Sequence, residues 1–198
     1  MPEPTQRQDE FATDNGASRS IWMSAAKIPA RGALAGDVRA DGCIVGAAIA
    51  LLTTAYRSAR PGRKIVVRDD GAVAGGESCR TTAHLCSALD DRYVELGRLH
   101  GQEGARLAAE SHAAAVDEIE RIVAAERIDC DFERLDGYLF QPEGDPDLLI
   151  NELDAVRRAG IAAELVERVP IDCYDFGRGL RFPRQGQFHI LSYLRGLA

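Results

Sequence analysis

Three groups of residues in this chain of 198 have types and spacings suited to chemistry. Gly46 follows the apolar triplet Cys43-Ile44-Val45 and precedes an apolar run that starts at Ala47. Asp69 and Asp70 close a second run, Lys64-Ile65-Val66-Val67-Arg68, and Asp69 stands 23 positions after Gly46. Strand, glycine turn, helix, strand and a late acid form the layout of a dinucleotide-binding βαβ unit. Its chemistry is anion binding. Unpaired N–H groups and the dipole at the helix N-terminus favour a pyrophosphate, while the acid accepts hydrogen bonds from an adenosine ribose. The third group is Gly71 to Leu85, where Gly71, Gly75 and Gly76 stand with Ser78, Arg80, Thr81 and Thr82. Such a loop can turn backbone N–H groups and a cation toward phosphate oxygens. As a plain surface loop, the same Ser and Thr would cap helices.

The glycine pattern is incomplete. Where G-x-G-x-x-G is wanted, the chain reads Gly46-Ala47-Ala48-Ile49-Ala50-Leu51. Gly46 serves the tight turn. Ala48 puts a methyl where the backbone approaches phosphate, and Leu51 an isobutyl group where helix and strand pack closely. A nucleotide site and a buried βαβ unit without ligand both fit this turn.

The elements that must position these groups follow from the apolar pattern. Strands are expected at Cys43–Val45 and Lys64–Arg68, with a helix from Ala47 to Ala59 stopped by Pro61-Gly62. Residues Met1 to about Ala40, rich in Pro, Gly, Ser and charge, read as an irregular arm ordered around Ile21-Trp22-Met23, with Trp22 a surface anchor. Leu89 to Glu126 is helical in pattern, broken near Gly101. Leu107, Ala108, His112, Val116, Ile119 and Val123 recur at three- and four-residue steps as one buried stripe, on which His112 reads as a core histidine. A hairpin is expected from Cys130–Arg134 and Gly137–Phe140 around Leu135-Asp136. Pro142 to Pro146 reads as a turn, Asp147–Ala159 as a helix capped by Gly160, and Ala163–Val169 as a strand. Leu180–Pro183 and Gln187–His189 suggest two more strands around Arg184-Gln185-Gly186, followed by a helix from Ile190 to Leu197. The chain stops on that helix, which leads to the expectation of an N-terminal piece of a longer architecture.

Composition narrows the function classes. A hydrophobic fraction of 45%, a charged fraction of 28% and a net charge of −7 suit a globular protein and argue against nucleic acid or an anionic membrane as partner. The 22 arginines against two lysines read as coding bias. The longest apolar run, Cys43 to Ala55, is too short to span a bilayer, and the first ten residues lack the basic start and apolar core of a secretory signal. A cytoplasmic location follows as the expectation. Cys43, Cys79, Cys86, Cys130 and Cys173 form no regular framework, so reduced thiols are expected. Cys79, His84 and Cys86 lack a fourth metal ligand at a plausible spacing, and no metal is expected.

Several segments together resemble one family. They are Cys43-Ile44-Val45-Gly46, Asp69-Asp70-Gly71, Gly75-Gly76-Glu77-Ser78-Cys79-Arg80-Thr81-Thr82-Ala83-His84-Leu85 and Arg181-Phe182-Pro183-Arg184-Gln185-Gly186-Gln187-Phe188-His189. Their order over Ile21 to Ala198 is similar to that of the FAD-dependent oxidoreductases of the D-amino-acid oxidase and glycine oxidase type, nearest to bacterial members that often carry a Rieske domain. The resemblance implies an α/β fold: an irregular arm over 1–40, a Rossmann-like FAD domain over 41–127, and the beginning of an inserted α+β substrate domain over 128–198. It implies FAD as cofactor and an amine or amino acid as substrate. Gly46 would sit at the pyrophosphate and Asp69 at the adenosine ribose, Ser78, Arg80, Thr81 and Thr82 would line the pyrophosphate and the approach to the flavin, and Ala47, Ala48, Asp70, Gly76 and Ala83 would be further cofactor-binding residues. Ala48, Leu51 and Arg68 depart from the family pattern. No Rieske ligand set is present, and no catalytic residue can be named. The groups that usually hold the substrate lie beyond the matched part, so pairing with itself or with a complementing C-terminal chain is expected. Two other readings stay open: a non-catalytic remnant or interaction module with lost nucleotide binding, and an NAD-dependent protein, since Asp69 would serve either nucleotide.

Overall fold

The computed structural model describes residues 19–29, 31–59, 62–141, 146–172 and 174–198. The helix stop at Pro61, most of the turn at Pro142–Pro146, Cys173 and the arm before Arg19 lie outside the described residues. The chain divides into two compact units. One comprises the described residues of Met1–Ala83 with Glu126–Cys130 and His189–Ala198, the other His84–Ala125 and Asp131–Phe188.

In the first unit, helix α1 spans Ile21–Ala25, strand β1 Gly42–Val45, helix α2 Ile49–Ala59 and strand β2 Ile65–Arg68. β1 and β2 pair in parallel, with Cys43 opposite Val66 and Val45 opposite Arg68, so the expected βαβ unit is present. Its helix begins two residues later than the pattern suggests, because Gly46 to Ala48 form the turn. Leu52 and Ala55 are the buried face of α2. Helix α5, Ile190–Leu197, buries Ile190, Leu191, Tyr193 and Leu194, and the Tyr193 hydroxyl lies 3.4 Å from Thr53 Oγ1 on α2. A Cβ at Gly196 would stand 2.8 Å from three Ile128 side-chain atoms, so only glycine permits this approach.

In the second unit, strand β3 is His84–Leu85, helix α3 runs from Arg92, strand β4 spans Glu133–Phe140, helix α4 Pro146–Arg158, strand β5 Glu164–Val166 and strand β6 Gly179–Gln187. Central β6 pairs antiparallel with β4 on one edge and with β3 and β5 on the other. The expected hairpin and the expected pair of strands at Leu180–Pro183 and Gln187–His189 are therefore corrected. Glu133 to Phe140 is one strand, and Gly179 to Gln187 is another. The turn signals in both serve a single β-bulge: Leu135 pairs with Gln185 and Gly137 with Phe182, leaving Pro183 and Arg184 opposite Asp136. Proline has no N–H for the ladder and is tolerated at a bulge, where Arg184 takes φ +59. Gln185 Nε2 donates to the Pro183 carbonyl at 2.8 Å and Arg134 Nη1 to the Arg184 carbonyl at 2.6 Å, satisfying the bulged backbone.

Helix α3 extends over Arg92–Glu126 with a break at Gly101, whose φ of +70 and ψ of 172 interrupt the helical backbone as expected. Its buried face differs from the expected stripe. Ala105, Ala109, Val116, Ile119 and Ile122 point inward, Leu107 is 52% exposed and His112 is exposed. Val116 and Ile119 of the expected stripe are buried, so the face departs from it mainly in the first half of the helix, where the small Ala105 and Ala109 pack inward in place of Leu107. The core of this unit gathers Tyr93, Leu153, Val156, Leu180 and Phe182. Glu152, 2% exposed, caps α3 by accepting from the Tyr93 amide at 2.7 Å and the Val94 amide at 3.1 Å.

Candidate cofactor site

The turn between β1 and α2 is shaped by two constraints on Gly46. Its φ is +106, which side chains with a Cβ rarely adopt, and an added Cβ would collide with Leu51 Cδ1. Leu51, at the position of the third family glycine, therefore lies back over the turn.

Asp69 is drawn into this turn. Its Oδ2 accepts from the Ala47 amide at 2.6 Å, and its Oδ1 accepts from the Gly71 amide at 2.8 Å. Two backbone donors fix the carboxylate, one on each oxygen, and each oxygen keeps a lone pair for a further donor. Asp70 is exposed beside it.

The loop after β2 is tied to the same helix end. Ala74 donates its amide to the Ala47 carbonyl at 3.0 Å, and the Ile49 amide, first in α2, donates to Ser78 Oγ at 3.3 Å. Ala74 and Ala83 hold left-handed backbone, φ +62 and +61, and both are buried. Strained alanines at both ends of a loop indicate a conformation imposed by its surroundings, as is common at ligand sites. Glu77–Cys79 forms a single 3-10 turn after Gly76. Arg80 Nη1 donates to the Gly75 and Gly76 carbonyls at 3.1 and 3.3 Å, so its guanidinium braces the loop from within. Thr81 and Thr82 are exposed, and Thr81 Oγ1 accepts from the Ala83 amide at 3.2 Å.

Helix α2 keeps anion-binding capacity at its start. Among the described residues the Ala48 and Ala50 amides have no hydrogen-bond acceptor, whereas the Ala47 and Ile49 amides are taken. Beside Asp69 lies a cavity of about 780 Å³, bordered by Ile28, Ala47, Tyr56 and Val67. A fixed carboxylate with spare lone pairs, two free helix-start amides and an adjoining cavity fit the adenosine and pyrophosphate of FAD. Leu51 over the turn is the one feature that crowds it.

Sequence reasoning missed what α1 does here. Ser20 Oγ donates to the Cys79 carbonyl at 2.5 Å, and Trp22 Nε1 donates to the Thr81 carbonyl at 2.8 Å. The Trp22 ring meets His189, the N-cap of α5, edge-on at 5.0 Å. Among the described residues, buried His189 Nε2 has no partner. A tryptophan in a composition of loop type was the only signal. Cys43, Cys79, Cys86 and Cys130 are not joined in disulfides, and among the described residues no group of three or more His, Cys, Asp or Glu could hold a metal. No helix among those residues is long and apolar enough to cross a membrane.

The family model for FAD dependent oxidoreductases matches residues 41–198. A Bacillus subtilis (strain 168) protein that carries the name of a Rieske 2Fe-2S iron–sulfur protein is 32% identical over 182 residues, 91% of this chain. The chain spans 36% of that relative's length. Among solved structures, L-amino acid deaminase from Proteus myxofaciens superposes with a TM-score of 0.66 at 13% identity, over 87% of this chain and 38% of the deaminase. Glycine oxidase from Bacillus cereus gives a TM-score of 0.54 at 14% identity, over 81% of this chain and 43% of the oxidase. These likenesses show the mixed α/β fold of such oxidoreductases. With four-fifths of its length matched by the family model, the chain belongs to the FAD dependent oxidoreductases, whose cofactor is FAD.

Proposed function

We infer that this chain supplies the FAD-binding half of an oxidoreductase acting on an amine or amino acid. The carrying observation is the Asp69 carboxylate, held by the Ala47 and Gly71 amides at the start of α2. In this reading Asp69 and Asp70 take the ribose. Gly46, Ala47, Ala48 and Gly76 border the pyrophosphate, with the Ala48 and Ala50 amides donating to it. Ser78, Arg80, Thr81, Thr82 and Ala83 hold the loop along which the cofactor extends. FAD, when bound, supplies the electron-pair acceptor for oxidising a C–N bond. The residues of this chain bind and orient it. The amino-acid substrates named for the deaminase and the glycine oxidase support that substrate class.

The first unit carries the cofactor end, and the sheet of the second contributes strands to a substrate domain. The chain spans about two-fifths of the length of the solved relatives, and this reading proposes that further polypeptide or a second copy completes the site. One observation favours a second reading, an interaction module without cofactor: Leu51 lies over Gly46 where the family has glycine.

The visible spectrum of the purified chain, before and after adding FAD and desalting, separates the two. A retained flavin band supports the cofactor reading. A colourless protein that takes up no FAD overturns it in favour of the module.

A further inference from the structure

The residues that pin the cofactor loop from outside precede the family match, which begins at residue 41. Ser20 donates to the Cys79 carbonyl and Trp22 to the Thr81 carbonyl, so two hydrogen bonds from one short helix bracket Arg80. α1 is itself anchored: Met23, Ala26 and Ile28 are buried, and Trp22 rests against His189 at the head of α5. The loop's inner side is tied by Ser78 to the first amide of α2, and its two ends hold strained alanines. A strained loop relaxes when its external ties are cut, because fewer contacts then offset the cost of left-handed alanine.

We propose that α1 is a clasp that holds the Gly75–Ala83 loop in its cofactor-ready shape, with Ser20 and Trp22 as positioning residues for the pyrophosphate. This rests on the FAD reading only for its ligand. The clasp itself is a property of the free protein. Neither residue touches cofactor. Each acts through a loop carbonyl, which orients the neighbouring peptide units of Ser78 and Arg80. The Ser20 hydroxyl also accepts from the Met23 amide at 3.4 Å, so one side chain both starts α1 and fastens it.

The test uses the full chain and the variants Trp22→Phe, Ser20→Ala and Ser20→Thr. Amide hydrogen exchange in the free protein is read over Gly75–Ala83. Exchange there speeds about fivefold in Trp22→Phe and in Ser20→Ala, as expected for one lost hydrogen bond, and returns to wild type in Ser20→Thr, which keeps the hydroxyl. FAD affinity falls by a similar factor of about five in the first two variants. Adenosine, which reaches Asp69 without the loop, binds all four proteins alike. Unchanged loop exchange in Trp22→Phe and Ser20→Ala overturns the clasp, whether or not FAD binds. Equal losses for FAD and adenosine also overturn it, since they mark a general loss of structure. If wild type binds no FAD, the cofactor reading fails, and the exchange measurement still decides the clasp.

Discussion

Replacing Gly46 with alanine tests both constraints on the β1–α2 turn at once. The backbone there has φ +106, and left-handed or more extreme positive φ costs a residue with a Cβ about 1–3 kcal/mol. The new methyl would also overlap Leu51 Cδ1, which must leave its position at about 1 kcal/mol for a displaced rotamer. Gly46→Ala should therefore lose about 3 kcal/mol, a large share of the stability of an ordinary domain. Leu51→Ala alone removes a half-buried isobutyl group and should cost about 1 kcal/mol. In the double variant the collision is gone while the backbone strain stays. Its loss should thus be smaller than the sum of the single losses by about 1 kcal/mol. Equilibrium urea unfolding of the four proteins, followed by circular dichroism, measures the cycle. A loss below about 0.5 kcal/mol for Gly46→Ala would refute the constrained turn. Additive losses would refute the contact between Leu51 and the turn.

Restoring the family glycines with Ala48→Gly and Leu51→Gly should tighten FAD binding about tenfold, read by flavin fluorescence; unchanged binding would show that Leu51 does not crowd the site. Glu152→Ala should destabilise by about 3 kcal/mol, because it strips a charged acceptor from the Tyr93 and Val94 amides, and Glu152→Gln by about half as much; a thermal melt measures both. Burial, then the Glu152 charge, then Cys86 push the Tyr93 hydroxyl up to about 12. Its folded value thus lies above the ordinary value of about 10, so the stability it contributes is intact below pH 10 and is lost between about pH 10 and 12. Tyr93→Phe should show a shallower loss across that window, with phenolate absorbance as the check. Alkylation at pH 8 should label exposed Cys43 before Cys79, which is fully buried and whose thiol burial pushes up; equal rates would contradict the packing of the Cys79 turn.

Much of the first unit was legible before the structure. The β1 and β2 runs are short, apolar and bounded by a glycine turn and acids, and the pattern between them suits only a helix. That local pattern also placed the glycine turn and Asp69 at opposite ends of one connection, so the meeting of Asp69 with the Ala47 amide at the start of α2 follows from the βαβ geometry. The second unit was harder. Leu135-Asp136-Gly137 carries turn chemistry and by sequence reads as a hairpin, and Arg184-Gln185-Gly186 reads as a break between two strands. Paired across the sheet, they are the two halves of one bulge. The difference is invisible locally, since a bulge exists only when a partner strand stands opposite. The face of α3 was misjudged for a related reason. Leu107 is more apolar than Ala105 or Ala109, but close packing selected the small residues.

By itself the sequence determined the βαβ order of the first unit, the glycine turn and the place of the late acid, because these rest on interactions within about 25 residues of chain or on residue type alone. The tertiary structure decided which amides are free and which are spent, through contacts such as Asp69 to Ala47 and Ser78 to Ile49. It also brought Ser20 and Trp22 onto Cys79 and Thr81, each pair 59 residues apart. No periodicity encodes a contact of that separation. It forms because burial of Met23, Ala26 and Ile28 carries α1 to the loop, and the hydrogen bonds then fix the register.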